Sequence, residues 1–149
     1  MNPIQVPPNG GKKVNVLGIP IAIRIHGRDT GGTLAVVESH EVSGGPPPHI
    51  HHREDETFQV LEGKYEFTVG DKTIYATPGT TLFAPRGIPH TYRHVGETHG
   101  KLLTVITPAG FERFFEEIDA LTPQQQQGIP RVLEIAKKFG LEFLPPPTM

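Results

Sequence analysis

Residues 44–63 read GGPPPHIHHREDETFQVLEG and residues 79–94 read GTTLFAPRGIPHTYRH, and these two stretches decide the fold. The first places His49 and His51 two residues apart, so on a strand both imidazoles point to the same face. Glu56 follows five residues after His51, which is the wrong parity for an unbroken strand. A bend or bulge just before Glu56 would return its carboxylate to the face of the two histidines.

The second stretch supplies a third imidazole, His90. Three imidazoles and one carboxylate form a donor set of nitrogen and oxygen that suits divalent first-row metals. The carboxylate favours Fe, Mn, Co or Ni over Cu(I). The predicted metal ligands are His49, His51, Glu56 and His90. The alternative is that the four side chains line a pocket that holds no metal.

Both stretches contain motifs that resemble the two signature motifs of the cupins. The first motif consists, in order, of Gly44, His49, His51, Glu56 and Gly63. Four residues separate Gly44 from His49, where the family usually has five, and three of the four are prolines. The departure therefore falls in a stiff loop ahead of the histidines.

The second motif consists, in order, of Gly79, Pro85, Gly87, His90 and His94. His94 stands where the family usually has Asn. Gly63, Gly79 and Gly87 occupy turn positions, where a positive φ or a close backbone approach is expected. The resemblance implies an all-β fold, the cupin double-stranded β-helix or jelly-roll barrel, over about residues 13–108.

The resemblance also implies a function. It places His49, His51, Glu56 and His90 at the four ligand positions of one divalent metal ion, which could be Fe, Mn, Ni, Co or Zn. In the flavonol-cleaving, quercetinase-like dioxygenases, which this chain resembles most, the equivalent Glu is thought to be both ligand and base. Glu56 is therefore the expected catalytic residue of a metal-dependent dioxygenase that acts on a small aromatic or enediol-like molecule.

Two other functions stay open at this point. A cupin of this kind could bind a small molecule without turnover, with the metal serving affinity only. It could also be a sugar isomerase or epimerase that works without a metal through a His/Tyr or Lys pair. Tyr92, close to His90 in sequence, keeps that third function open.

Three further side chains are candidates to line the cavity, namely His40, Phe58 and Tyr92. Tyr92 and Phe58 follow His90 and Glu56 by two residues, so each shares a face with a predicted ligand. His40 shares a face with apolar residues of its own predicted strand. For Phe58 the alternative is plain packing in the barrel, and for His40 it is a satisfied position beside the core.

The other histidines receive separate predictions. His94 lies four residues after His90, about 13 Å along a strand, so we expect a hydrogen-bonding or surface role. His52 has the wrong parity to join the ligands and is expected to be solvated or to lie behind them. His26 and His99 lie beside turns and are expected to be solvated.

The composition agrees with a barrel of short strands. Of the 149 residues, 17 are glycines and 16 are prolines. Together they make up about 22% of the chain, well above the usual combined share of roughly 12%. A helix bundle is excluded, because each proline inside a helix costs about 3 kcal/mol. We predict about ten short strands, joined by turns every 8–12 residues or less, as in a sandwich or barrel.

After residue 108 the pattern changes to a short C-terminal helical segment, at about residues 109–141. Apolar residues at helical spacing predict one helix from Phe111 to Leu121 and another from Ile129 to Phe139. Thr122 is a predicted helix N-cap, and residues 124–127 are expected to form a solvated turn. Gly140 is a predicted helix stop. The helices are expected to cover the outer sheet, with capping of one barrel mouth as the alternative.

The whole chain, residues 1–149, is predicted to be a single cupin domain with an irregular arm at 1–12 and an irregular tail at 142–149. The chain has no cysteine, which excludes a disulfide framework, a thiolate nucleophile and a zinc ribbon. Fourteen basic and sixteen acidic residues give a net charge of −2, so nucleic acid is not an expected partner.

No membrane association is expected either, because no apolar run approaches the roughly 18 residues of a membrane span. The N-terminal residues lack the charged and apolar regions of a signal peptide, so a cytoplasmic location is expected. The predicted partner is a small-molecule substrate. The arm at 1–12 and the strand around Pro20 favour a homodimer, as in related cupins.

Overall fold

Eleven strands pair into two antiparallel sheets in the computed structural model, which describes residues 1–145. In chain order the strands are β1 (Lys12–Val16), β2 (Ile19–Ile25), β3 (Ala35–Glu41), β4 (His49–His51), β5 (Asp55–Glu62), β6 (Tyr65–Val69), β7 (Lys72–Ala76), β8 (Thr81–Ala84), β9 (His90–His94), β10 (Gly100–Thr107) and β11 (Leu141–Phe143). One sheet has the order β1–β2–β3–β10–β5–β8, and the other has the order β11–β4–β9–β6–β7. This confirms the all-β jelly-roll architecture.

Alternating burial along the strands creates the interior of the barrel. On β10 every second residue is buried, beginning at Gly100, so one face of the strand is directed inward. Phe58 and Val60 from one sheet pack against Tyr65 and Phe67 from the other, with the Phe58 and Phe67 rings 5.3 Å apart. Aromatic side chains of this size bury a large apolar area, and this packing holds the two sheets together.

Glycine is required at the turn that follows β5. Gly63 adopts φ +83°, a conformation that L-residues rarely take. A Cβ atom there would lie 2.8 Å from Nε2 of His94 and 3.0 Å from the Cα of Gly100. The expectation of a positive φ and a close approach is confirmed at this position, and Gly79 and Gly87 also have positive φ.

Three helices follow the barrel: α1 (Glu112–Asp119), α2 (Pro123–Gln126) and α3 (Ile129–Lys138). Thr122 caps α2 through a reciprocal pair of hydrogen bonds with Gln125, so three of the four residues expected to form a solvated turn, 124–126, are helical instead. The capping box stabilises this short helix because it satisfies two otherwise free N–H groups. Gly140 ends the segment with φ +70°, as predicted. None of these helices is long and apolar enough to cross a membrane.

The strand β11 was not anticipated from the sequence. Residues 142–149 are predicted as an irregular tail, yet Glu142 and Phe143 pair with Ile50 and His49 of β4. A run of three residues is too short to show a strand periodicity, so only the pairing partner reveals it. The last part of the predicted tail, residues 146–149, lies outside the described residues.

A buried polar cluster lies at the His94 end of β9. Glu41 is 2% exposed and accepts a hydrogen bond from the hydroxyl of Tyr65. Nδ1 of His94 lies 3.0 Å from the carbonyl of Val42 and donates to it, which agrees with the predicted hydrogen-bonding role. Burial raises the pKa of Glu41 above its ordinary value of 4.5, although Tyr65 and Ser39 oppose the shift.

The raised pKa of Glu41 predicts a pH-dependent stability difference. Above pH 4.5 the unfolded chain loses the Glu41 proton before the folded protein does, so this group lowers the free energy of unfolding as the pH rises. Glu41→Gln removes this contribution and should become more stable relative to wild type as the pH rises above about 4.5, until the pH has passed the folded-state pKa of Glu41. Denaturant unfolding of both proteins across this pH range measures the difference.

Glu134→Gln is the matched control, because Glu134 is an exposed residue of α3. Its stability should stay within about 0.5 kcal/mol of wild type at every pH. A Glu41→Gln difference that does not change with pH would contradict the assignment.

Candidate metal centre

The four predicted ligands come from three strands in two sheets. His49 and His51 are the first and last residues of β4, and both are buried on the same face. His90 begins β9 and pairs with His49 across the sheet. Glu56 is the second residue of β5, which belongs to the other sheet. The chain changes sheets between β4 and β5, and this is the bend that the parity of Glu56 requires.

The donor atoms of these residues converge. Oε1 of Glu56 lies 2.9 Å from Nε2 of His51 and 3.0 Å from Nε2 of His90. One ligand atom from each of the four residues lies within 4.8 Å of all the others. The ring centroids of His49 and His90 are 4.4 Å apart, so His49 completes the group. The four side chains are therefore placed to hold one metal ion.

In two of the histidines, Nδ1, the ring nitrogen directed away from the group, makes a hydrogen bond. Nδ1 of His49 lies 2.8 Å from the carbonyl oxygen of Pro47, and Nδ1 of His51 lies 3.0 Å from a carboxylate oxygen of Glu54. In each ring the Nδ1–H group donates, so Nε2 is the ring nitrogen directed to the centre of the group and the one available as a metal ligand. Nδ1 of His90 has no hydrogen-bond partner within residues 1–145.

The electrostatics of the group favour a negatively charged Glu56 beside a positively charged His51. Burial opposes ionisation of Glu56, but the imidazoles of His51 and His90 lower the pKa of Glu56 well below 4.5. Burial also opposes protonation of His51, but the carboxylates of Glu56 and Glu54 raise the pKa of His51 to about 9. Burial and the neighbouring His90 and His51 lower the pKa of His49 to about 3.

This donor set fits a divalent metal ion. An ionised carboxylate and three imidazoles, two of them oriented through Nδ1, are the groups that first-row metals prefer. A divalent ion bound by Nε2 of His51 would take the place of a proton on that nitrogen.

The ligand group lies at one side of a cavity of about 300 Å³. Apart from His49, His51, Glu56 and Tyr92, its lining is apolar or contributes only backbone polar groups. The walls are Val16, Leu17, Ile19, Ile21, Gly45, Pro46, Pro47, Phe111, Phe114, Phe115, Leu141 and Phe143. The cavity is therefore a mostly apolar chamber with polar groups concentrated at the candidate metal position.

The C-terminal segment forms one wall of this cavity. The ring of Phe111, just before α1, stands edge-on to the ring of His51 at 4.4 Å. Phe143 on β11 lies 6.3 Å from His49, measured between ring centroids. The expectation that the helices cover only the outer sheet is wrong, because their first turn and the strand after them close the cavity.

The three predicted cavity residues have different positions. Tyr92 is partly buried and lines the cavity. Phe58 lies behind the site in the core, with its ring 5.8 Å from that of His90, so it packs in the barrel. His40 does not reach the cavity, and the prediction for it is wrong. Its side chain is 43% exposed, and Nε2 lies 3.2 Å from Glu38, because the inward face of β3 carries the residues of opposite parity.

Of the remaining histidines, His52 and His99 are exposed, as predicted. His26 is wrongly predicted as solvated. It is 9% exposed, and Nε2 lies 2.8 Å from Glu116 of α1. The partner lies 90 residues away in sequence, so nothing local to His26 signals its burial.

Sequence reasoning also missed three residues that complete the site: Glu54, Phe111 and Phe143. Glu54 stands three residues after His51, and only the bend between β4 and β5 brings its carboxylate back to the ring. Phe111 was assigned to a helix stripe, and Phe143 to the tail. Their roles depend on how the C-terminal segment returns to β4.

Comparisons with known proteins identify the same region. A family model described as "Cupin domain" matches residues 36–106. Germin-like protein subfamily 1 member 4 from Arabidopsis thaliana is 30% identical over 132 residues, which cover 80% of this chain and 56% of that protein. Quercetin 2,3-dioxygenase from Bacillus subtilis (strain 168) is 32% identical over 92 residues, which cover 61% of this chain and 27% of that protein. The matched region thus covers about half of the germin-like protein and about a quarter of the dioxygenase.

Solved structures share the fold at lower identity. KdgF from a Halomonas species superposes with a TM-score of 0.66 and 20% identity, covering 75% of this chain and 99% of that one. Pac13, described as a nucleoside dehydratase and known from Streptomyces, superposes with a TM-score of 0.60 and 15% identity, covering 75% of this chain and 88% of that one. At these identities the likeness concerns the fold alone.

Removing one ligand should remove the metal. We expect protein purified without an affinity tag to carry one divalent ion per chain, and His51→Ala and Glu56→Gln to carry far less, since each loses one of four donors. Elemental analysis of the purified proteins measures this. His52→Ala is the matched control, because His52 is adjacent but exposed, and it should keep the wild-type metal content. Full metal content in His51→Ala would contradict the site.

Metal uptake should release a proton. At pH 7 the imidazole of His51 is protonated, because its pKa is raised to about 9, and it must lose that proton to bind a metal through Nε2. Apparent affinity should therefore rise about tenfold per pH unit between roughly pH 7 and 9 and level off above. Calorimetric titration in buffers of different ionisation enthalpy should show about one proton released per ion at pH 7. An enthalpy that does not depend on the buffer would contradict this.

Proposed function

The chain belongs to the cupin superfamily, and on that premise we propose that it is a metal-dependent dioxygenase acting on a small aromatic or enediol-like molecule. The observation that carries the proposal is a buried group of three imidazoles and one carboxylate at the side of an apolar cavity. The Bacillus relative named quercetin 2,3-dioxygenase supports the same reaction class. In this proposal the metal ligands are His49, His51, Glu56 and His90.

The chemistry of the cavity favours an uncharged, flat substrate. Within the described part of the chain, its lining includes no lysine or arginine, so apart from the proposed metal ion a phosphate or carboxylate would find no cationic partner there. Phe111, Phe115 and Phe143 offer faces and edges to an aromatic ring. Binding sites of this kind hold the apolar body of a ligand by burial and orient it through a few polar groups.

The residues of the chain have separate tasks in this mechanism. When bound, a divalent metal supplies an electrophilic centre and, for a redox-active ion, electron transfer. Glu56 is the nearest base to that centre, and its carboxylate would take the proton of a substrate hydroxyl or enol group. The apolar walls exclude water from the reacting atoms and orient the ring of the substrate.

Among the described residues, Tyr92 is the one further cavity-lining residue with a polar side chain, and we propose that its hydroxyl orients a substrate oxygen. Burial raises the pKa of Tyr92 well above 10, and the carboxylates of Glu41 and Glu56 add to the shift, so the hydroxyl keeps its proton and donates it in hydrogen bonds. This placement also keeps the metal-free isomerase or epimerase as a second candidate, because Tyr92 lines the cavity two residues after His90 on β9.

We also propose that the protein is a homodimer that uses its N-terminal arm or the neighbouring edge of the six-stranded sheet. The arm is anchored on its own chain, since Arg24 donates hydrogen bonds to the carbonyls of Pro7 and Gly10. Strand β1 forms the edge of that sheet. Sizing of the full chain against a chain without residues 1–12 tests the dimer, and a monomeric full chain would contradict it.

Oxygen uptake tests the proposed reaction. The apoprotein should be loaded separately with Fe²⁺, Mn²⁺, Co²⁺ or Ni²⁺ and offered a flavonol, a catechol and an enediol in an oxygen electrode. We expect at least one combination to consume O₂ in step with substrate loss, and chelation or His51→Ala to abolish this. A metal-loaded protein that consumes no O₂ with any of these substrates would contradict the dioxygenase and leave the binding function. Turnover of a sugar that survives complete metal removal would favour the isomerase.

A further inference from the structure

The three imidazoles of the candidate metal centre differ in the hydrogen-bond partner of Nδ1, the ring nitrogen that faces away from the centre. Nδ1 of His49 faces a neutral carbonyl oxygen, that of Pro47, at 2.8 Å. Nδ1 of His51 faces the carboxylate of Glu54 at 3.0 Å. Nδ1 of His90 has no hydrogen-bond partner among the described residues. His51 is thus the one imidazole of the three with a carboxylate on each ring nitrogen, Glu56 on one and Glu54 on the other.

The position of Glu54 is unusual for a carboxylate. It lies in the bend between β4 and β5, where its neighbours His52 and Arg53 are exposed, yet Glu54 is 4% exposed. Within residues 1–145 no lysine or arginine nitrogen lies within 4.0 Å of its carboxylate, and its ion-pair partner is His51. Burying a carboxylate without a partner costs free energy, and the contact with His51 offsets that cost for Glu54.

The bend itself is held firmly. Asp55, the next residue, accepts hydrogen bonds from the backbone N–H and the guanidinium of Arg86. On the other side, the N–H of His52 donates to the carbonyl of Gly140 at 3.0 Å. The chain is thus anchored on both sides of Glu54, which fixes the backbone position from which its side chain reaches His51.

We infer that Glu54 is a positioning residue of the metal centre, an inference that rests on the proposed function. Its carboxylate accepts the Nδ1–H of His51, and this fixes the ring orientation and the tautomer in which Nε2 is the ligand atom. A negatively charged acceptor on Nδ1–H also makes Nε2 a more basic metal ligand than a neutral carbonyl acceptor does. His51 is therefore the strongest of the three imidazole ligands.

The test compares Glu54→Ala and Glu54→Gln with wild type, with Co²⁺ as the probe. Alanine removes both the acceptor and the charge, whereas glutamine keeps an acceptor oxygen of similar reach without the charge. We expect the dissociation constant for Co²⁺ to increase 10- to 100-fold in Glu54→Ala and by a smaller factor in Glu54→Gln. The visible d–d spectrum of bound Co²⁺ should change in Glu54→Ala, because one ligand is no longer held in orientation.

The matched control is Glu142→Gln. Glu142 also contacts a histidine ring nitrogen, that of His52 at 2.9 Å, but this pair is exposed and outside the cavity. It should bind Co²⁺ with the affinity and spectrum of wild type. Thermal unfolding of the metal-free proteins separates a loss of positioning from a loss of folding, and Glu54→Gln decides the question if the alanine variant does not fold.

Wild-type affinity and an unchanged Co²⁺ spectrum in a folded Glu54→Ala variant, or in Glu54→Gln if the alanine variant does not fold, would overturn the positioning role and leave the proposed function intact. A wild-type protein that binds no Co²⁺ or any other divalent ion would overturn the proposed function together with this inference. Weaker binding and an altered spectrum in the Glu54 variants, with Glu142→Gln unchanged, would support it.

Discussion

The carboxylate of Glu56, shared between Nε2 of His51 and Nε2 of His90, is the interaction on which the site depends. It joins the two sheets, because Glu56 lies on one and both histidines lie on the other. A buried carboxylate is tolerated only with a compensating charge or hydrogen bonds. The structure supplies both from the imidazoles, and the same requirement is what makes the position attractive to a divalent cation.

The C-terminal segment turns this polar group into an enclosed site. Strand β4 has three residues, and one of them pairs with β9, so its other edge would be open without β11. Strand β11 covers that edge, and Phe143 and Phe111 then lie against His49 and His51. Apolar walls lower the local dielectric constant, which strengthens the attraction between the ligand group and a bound ion. The helices after the barrel are therefore part of the site.

The sequence was informative where a short-range rule controls the outcome. The HxH spacing predicts two imidazoles on one face, and the parity of Glu56 predicts the bend before β5, which carries it to the opposite sheet. It failed where the outcome depends on distant partners. His40 is a histidine like three of the predicted ligands, but its position in the alternating pattern of β3 directs its side chain outward. His26 is buried by α1, and β11 is visible only through its pairing with β4. Glu54 contacts His51 across the bend between β4 and β5, which is anchored by hydrogen bonds to distant residues.

We propose that His49, His51, Glu56 and His90 together coordinate a single divalent ion. A crystal structure of untagged protein, with anomalous data collected above and below the absorption edge of the bound element, tests this most directly. We predict one anomalous peak in each chain, about 2.0–2.2 Å from the Nε2 atoms of the three histidines and from a carboxylate oxygen of Glu56. Well-ordered side chains at these positions with no anomalous peak between them, after incubation with divalent metals, would contradict the account.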